Sequence, residues 1–125
     1  MNSEENRTIL LVDDEPGLLE LMKEGLEDFN FLVFCASNGS EALEMMKKHS
    51  VDCLITDIKM PVMGGIELVT KLRESRLTIP VFFITAYQDL PKEVLANLQP
   101  KAIIFKPFDI EEAALLVKNY FLRNP

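Results

Sequence analysis

Five short apolar runs are spaced along the chain: Ile9 to Val12, Phe31 to Cys35, Cys53 to Ile55, Val81 to Ile84 and Ala102 to Phe105. Each has the length of a buried strand and is rich in Ile, Val, Leu or Phe. Between them, apolar residues recur at helical spacing. Leu18, Met22, Leu26 and Phe29 make one stripe, Ala42, Met45, Met46 and His49 a second, and Ile110, Ala113, Ala114, Val117 and Phe121 the last. Asn38 with Glu41, and Asp109 with Glu112, place a capping residue three positions before an acid, which predicts helix starts there. A third helix is predicted from about Ile66 to Glu74. A short fourth follows Pro91 and ends before Pro100, with neither boundary well marked.

The alternation is (βα)5, an α/β chain, which implies a parallel sheet covered by helices on both faces. No repeat, low-complexity segment or internal linker interrupts it. The expectation is one domain over residues 1–125, its core about 8–122, with residues 1–7 and Asn124-Pro125 as loose ends.

Composition narrows the function. At 125 residues and 48% apolar, the chain can bury a sizeable core without disulfides or a structural metal. Its net charge of −7 argues against nucleic-acid binding by this domain and suits cations or basic partner patches. No apolar run approaches the ~18–20 residues of a membrane span, and the polar start Met1 to Glu5 is no signal peptide, so a cytoplasmic location is expected. Cys35 and Cys53 lie inside apolar stretches and read as small core residues. Lys47-Lys48 read as a solvated helix end, His49 as a residue suited to the helix dipole, and Met45, Met46, Met60 and Met63 as packing.

In a parallel sheet all strand C-termini share one edge, and ligands bind there. The residues after the apolar runs can therefore be read as a group. Asp13, Asp14 and Glu15 follow the first, Thr56-Asp57 the third, Thr85 the fourth and Lys106-Pro107 the fifth. Carboxylates, a hydroxyl and an ammonium would converge on one rim. Taken singly, Asp13 or Asp14 could simply cap the first helix, Lys106 could be a solvated lysine and Thr85 an ordinary strand end. Together they describe a cation site. Two carboxylates ~4 Å apart repel by roughly 1 kcal/mol in water and about 4 kcal/mol at an effective dielectric of 20. Hard oxygen donors suit Mg²⁺, which keeps several waters and can exchange one for a phosphoryl oxygen. A carboxylate can then be the nucleophile of phosphoryl transfer, with Lys106 and the Thr85 hydroxyl stabilising the equatorial oxygens.

These residues closely resemble the receiver-domain family of bacterial response regulators. The matching elements are Ile9 to Glu15, Asp57 to Gly65, Thr85-Ala86 and Lys106-Pro107-Phe108, in family order over essentially the whole chain. Each is weak alone; the set is specific. The resemblance implies a CheY-like, flavodoxin-like sheet of strand order 2-1-3-4-5. It implies Asp57 as phosphoacceptor and Mg²⁺ (or Mn²⁺) held by Asp13, Asp14, Asp57 and the backbone carbonyl of Lys59, with Asp14 a direct ligand. Thr85 would turn toward the phosphoryl group and Lys106 would pair with it. Gly65 fits the position where the chain turns into the third helix. The implied partners are a histidine kinase or histidine phosphotransfer protein and a downstream output domain or protein. A dimer through the helix 4–strand 5–helix 5 face is also implied. Such a domain is a phosphoacceptor and not a turnover enzyme.

Two departures stand out. Ile103 occupies the place, three residues before the lysine, where the family usually has Tyr or Phe. Asn97 to Lys101 lacks the usual Ala-Gly turn, and Thr85 to Lys106 is one residue shorter than is typical. The fifth strand is then expected to have no bulky side chain to bury on activation, and the response to centre on Thr85 to Leu90, with Tyr87 either a substitute lever or an ordinary surface aromatic. Three rival functions are weaker. A flavin or nucleotide module would want a phosphate-cradling glycine loop, which is absent. A metal-dependent aspartyl phosphatase would need residues for a substrate pocket and cap. A pure interaction module would not need the acidic pocket with Thr85 and Lys106.

Overall fold

The structure, a computed structural model, describes residues 7–125; Met1 to Glu5, read above as a polar start, lie outside the described residues. The chain runs β1 (Thr8–Val12), α1 (Pro16–Glu27), β2 (Leu32–Ala36), α2 (Gly39–Lys48), β3 (Cys53–Asp57), α3 (Gly65–Glu74), β4 (Val81–Thr85), α4 (Lys92–Leu98), β5 (Ala102–Phe105) and α5 (Ile110–Arg123). All strand pairs are parallel and the order is β2-β1-β3-β4-β5. No described helix is long and apolar enough to cross a membrane.

Strand alternation sorts the apolar runs into two cores. Ile9, Leu11, Ile55, Phe82 and Ile84 face α1 and α5, where Met22, Leu26, Ala114 and Val117 meet them. Leu10, Val12, Leu54, Val81 and Phe83 face α2, α3 and α4, where Ala42, Leu68, Val69 and Leu95 meet them. Cys53 is fully buried in the first core, with burial pushing its thiol well above its usual range, and Cys35 packs at its margin. The four methionines pack against the second.

The capping residues act as the spacing predicts. The side chain of Asn38 accepts from the Glu41 N–H, and that of Asp109 from the Glu112 N–H, both at 2.9 Å. His49 ends α2, stacked on Phe34 with ring centroids 4.1 Å apart. Other boundaries differ. Phe31 lies before β2, because Asn30 at φ 70° reverses the chain and the Phe31 N–H returns to the Leu26 carbonyl. The missing Ala-Gly turn after α4 is replaced by Gln99, whose left-handed backbone (φ 56°, ψ 53°) does the work of a glycine. Of the expected loose ends, Arg7 and Asn124 make contacts, while residues 1–6 lie outside the described residues: the Arg7 carbonyl accepts from the Leu32 N–H, the Arg7 guanidinium lies 4.5 Å from the Phe121 ring centroid, and Asn124 bonds the Tyr120 carbonyl.

Candidate functional site

The parallel arrangement brings Asp13, Asp57, Thr85 and Lys106 to one edge, as the residues that end or follow β1, β3, β4 and β5. Asp13 is fully buried. Its N–H donates to the Ala36 carbonyl, and its Oδ1 accepts from the Glu15 N–H at 2.9 Å. That is an Asx turn; the N-cap position of α1 is Glu15, which makes no side-chain cap bond. Asp13 is thus placed for the pocket and not for the helix. Asp57 is 5% exposed, and the peptide after it is held by the Ile58 N–H to the Ile84 carbonyl. Lys106 is positioned by its own N–H to the Thr85 carbonyl at 2.8 Å, ahead of a cis peptide to Pro107.

The Lys106 ammonium is the centre of this edge. Nζ lies 2.6 Å from Glu15 Oε1, 2.9 Å from Asp57 Oδ2 and 3.0 Å from Asp13 Oδ2. Burial alone would lower its pKa, but the three carboxylates together hold it above the usual lysine range. Glu15 is its nearest partner, a role the strand-end reading did not give it. Proximity in sequence to Asp13-Asp14 was the only signal. Burial pushes Asp13 up to about 6, only partly offset by the Glu15 N–H and by Lys106, while Asp57 pushes it further up. Oδ2 of Asp13 is buried, with the Lys106 ammonium 3.0 Å away as an ion-pair partner and no other polar partner among the described residues.

One oxygen from each of Asp13, Asp14 and Asp57 lies within 4.8 Å of the others. That is close to the ~4.2 Å that two oxygens on opposite sides of one Mg²⁺ would span. An all-carboxylate set, with one buried oxygen whose only partner is Lys106 and one exposed member, Asp14, fits a hard divalent cation that keeps water. The residues present therefore fit the ion.

The loop after Asp57 is shaped by close backbone approach. A Cβ on Gly65 would stand 2.2 Å from the Asp57 carbonyl oxygen, and one on Gly64 2.5 Å from that of Ile58. The Gly65 N–H closes the turn on the Ile58 carbonyl at 2.8 Å. Val62, 80% exposed, sits at φ 70°, a conformation β-branched residues rarely adopt.

Thr85 is fully buried, and its Oγ1 accepts from the Tyr87 N–H at 3.0 Å, so the hydroxyl serves its own loop here. The expectation for the fifth strand needs correction. Ile103 is half-buried against the α2–α4 core, but Phe105 stands two residues on, on the same face of β5, and is 44% exposed. It pairs in register with Thr85 and, with Leu90, Leu95 and Ile103, lines a groove of about 440 Å³ beside α4. A bulky side chain is available after all, displaced by one pleat.

An open parallel sheet of this strand order binds its ligands at the C-terminal ends of its strands, and the acidic pocket lies there. The response regulator receiver domain model matches residues 9–118, and the chain belongs to that family, the phosphoacceptor domains of two-component systems. It is 36% identical over 121 residues to the transcriptional regulatory protein CrdR of Helicobacter pylori, covering 95% of this chain and 57% of that protein. It is 32% identical to the alkaline phosphatase synthesis transcriptional regulatory protein PhoP of Bacillus subtilis, covering 95% of this chain and 50% of that one. The chain thus spans about half the length of these relatives. Among solved structures, the response regulator TrrA of Thermotoga maritima, in complex with Mg²⁺–BeF, superposes with a TM-score of 0.80 at 31% identity, over 90% of this chain and 97% of that one. A Francisella response regulator receiver domain superposes at 0.84 with 27% identity, over 96% of this chain and 100% of that one.

Proposed function

We propose that Asp57 accepts the phosphoryl group, from a phosphohistidine of a histidine kinase or a histidine phosphotransfer protein. An Asp57 oxygen bonds phosphorus in line as the bond to the donor nitrogen breaks, and the imidazole leaves with the electron pair. Asp13, Asp14, Asp57 and the Lys59 carbonyl would hold Mg²⁺ or Mn²⁺, which when bound supplies positive charge to the phosphoryl oxygens. Lys106, already 2.9 Å from Asp57, would pair with the phosphoryl group, and the Thr85 hydroxyl would leave the Tyr87 N–H to donate to it. The observation that carries this reading is Lys106 held among Asp13, Glu15 and Asp57, a site built to balance negative charge at one carboxylate.

The receiver core is taken as about 8–122, acting in the cytoplasm as a phosphoacceptor with no external substrate to turn over. An output domain or protein would read its state, without direct nucleic-acid binding by this unit. Exposed Val94 and Phe105 support a dimer through the α4–β5–α5 face, which sedimentation of the phosphorylated domain would test.

Incubation with acetyl phosphate and Mg²⁺ should add one acid-stable, base-labile phosphoryl group at Asp57. EDTA or Asp14→Ala should abolish labelling while the fold persists. Full labelling of Asp57→Asn would overturn the assignment, as would a label mapped to Asp13. Asp52 is the control: it lies at the opposite edge, its Oδ2 accepting from the Thr8 N–H at 2.8 Å.

A further inference from the structure

The edge opposite the acidic pocket gathers cations over aromatic rings. The parallel strands all start along that edge, and α5 runs back to it. The guanidinium of Arg7, just before β1, lies 4.5 Å from the centroid of the Phe121 ring. Lys118 Nζ lies 4.8 Å from that of Phe29, and Lys101 Nζ, just before β5, 5.7 Å from that of Tyr120. Among the described residues none of the three lies within ion-pair distance of a carboxylate, in a chain whose net charge is −7. Asp52, an acid at the same edge, is engaged by the Thr8 N–H. The helix dipole accounts for Arg123 in the last turn of α5. Lys118 lies more than a turn further back, and Arg7 and Lys101 stand at strand starts, outside that effect. Arg7 and Lys118 line one groove of about 340 Å³, with Phe29, Phe31, Phe121 and Leu122 in its walls. Leu122 is 67% exposed, a large apolar side chain left to solvent.

We propose that this groove docks an acidic, leucine-bearing peptide segment of a partner protein, the aliphatic side chain entering among the rings and flanking carboxylates pairing with Arg7 and Lys118. Charge and shape together select that chemistry. The walls are apolar, and the cations at the groove have no carboxylate of their own among the described residues. A segment that brings both an aliphatic side chain and carboxylates satisfies each part. Single-stranded nucleic acid would also meet positive charge, but it binds by stacking bases on open ring faces. Here the rings of Phe121 and Phe29 are covered by Arg7 and Lys118, and the net negative charge of the chain opposes a phosphate backbone. The groove shares no residue with the acidic pocket, so an occupant leaves Asp57 open to its donor, and the proposal stands apart from the acceptor assignment. One exposed ion pair corresponds to a factor of about two to five in affinity.

The test titrates the isotope-labelled chain with a blocked hexapeptide of alternating glutamate and leucine and follows the backbone amides by NMR. Saturable shifts are expected at 29–32 and 118–123, with 13–15, 57 and 85 unmoved. Arg7→Gln and Lys118→Gln should each weaken binding about two- to five-fold, while Lys118→Arg keeps it. Added salt should weaken binding to the wild type more than to either glutamine variant. Scattered or non-saturating shifts would overturn the proposal. Equal binding of a glutamine–leucine hexapeptide would do the same, as would glutamine variants that bind like the wild type. A deoxythymidine decamer that moves these amides while the acidic peptide does not would assign the surface to nucleic acid instead. Shifts at the same amides on concentrating the chain alone would assign it to a second copy. Either result overturns the peptide site. If Arg7→Gln melts early, Lys118→Gln and its Lys118→Arg rescue carry the same comparison.

Discussion

Lys106 Nζ and Asp57 Oδ2 lie 2.9 Å apart although 49 residues separate them in the chain. The contact depends on β3 and β5 flanking β4, so that their C-terminal ends stand on either side of Thr85. The Lys106 ammonium is also shared with Asp13 and Glu15, which makes it a resident counter-ion for the pocket.

Removing that counter-ion should expose the repulsion it offsets. Lys106→Met leaves Asp13 and Asp57 buried without a positive partner, and should cost about 3 kcal/mol without divalent cations. Millimolar Mg²⁺ should restore much of the loss, because the ion binds the folded pocket and not the unfolded chain. Urea unfolding of wild type and variant, with and without Mg²⁺, decides it. An equal deficit in both conditions would refute the counter-ion role.

The Gly65 position should tolerate no side chain. Its Cβ would fall 2.2 Å from a backbone oxygen, so Gly65→Ala must move either the turn or the Asp57 peptide. A loss of about 2–3 kcal/mol is expected, together with slower labelling. Gly17, where an added Cβ meets nothing within 4 Å, is the matched control. Thermal melts showing Gly65→Ala as mild as Gly17→Ala would contradict the close approach.

Val62 should be improvable. It is exposed and left-handed, so Val62→Asn, a residue that accepts αL geometry, should gain about 1 kcal/mol. Chemical denaturation gives the difference directly. A destabilised Val62→Asn would mean that Val62 makes a contact worth more than its backbone strain.

Activation should be read around Thr85. A phosphoryl group shifts an equilibrium only through contacts that differ between the two states, and here Thr85 and Lys106 can supply them. If Thr85 leaves the Tyr87 N–H, the loop to Leu90 must adjust. Phe105, paired in register with Thr85, has room to turn into the groove beside α4. Amide and aromatic NMR shifts on adding beryllofluoride should concentrate at 85–90 and Phe105, with Ile103 little changed. A large change at Ile103 with Thr85 and Tyr87 still would refute this.

Most of the architecture was legible because it is written in local periods. The strand runs are short and the helix stripes clean, and Asn38 and Asp109 cap the helices their spacing marks. The site was legible because a parallel sheet turns position after a strand into position in space; Asp13, Asp57 and Lys106 needed no further information to be grouped. What the sequence withheld depended on side-chain reach and backbone handedness. Glu15 became the nearest partner of Lys106 through a side chain crossing to β5. Gln99 replaced a glycine by adopting a conformation that its residue type rarely favours. Phe105 stands partly exposed at the end of β5, on the face where Ile103 packs against the core, which its hydropathy did not announce.

The sheet divides the interior into two cores that share strands but not side chains, since alternate residues of each strand serve opposite faces. Damage to one layer is therefore not transmitted as lost packing to the other. Truncations such as Leu68→Ala on one side and Val117→Ala on the other should be additive within about 0.5 kcal/mol, as for well-separated sites. A coupling energy clearly above that would mean that the strands relay strain. If the additivity holds, the two helical layers can change sequence independently while the strand ends keep Asp13, Asp57 and Lys106 in place.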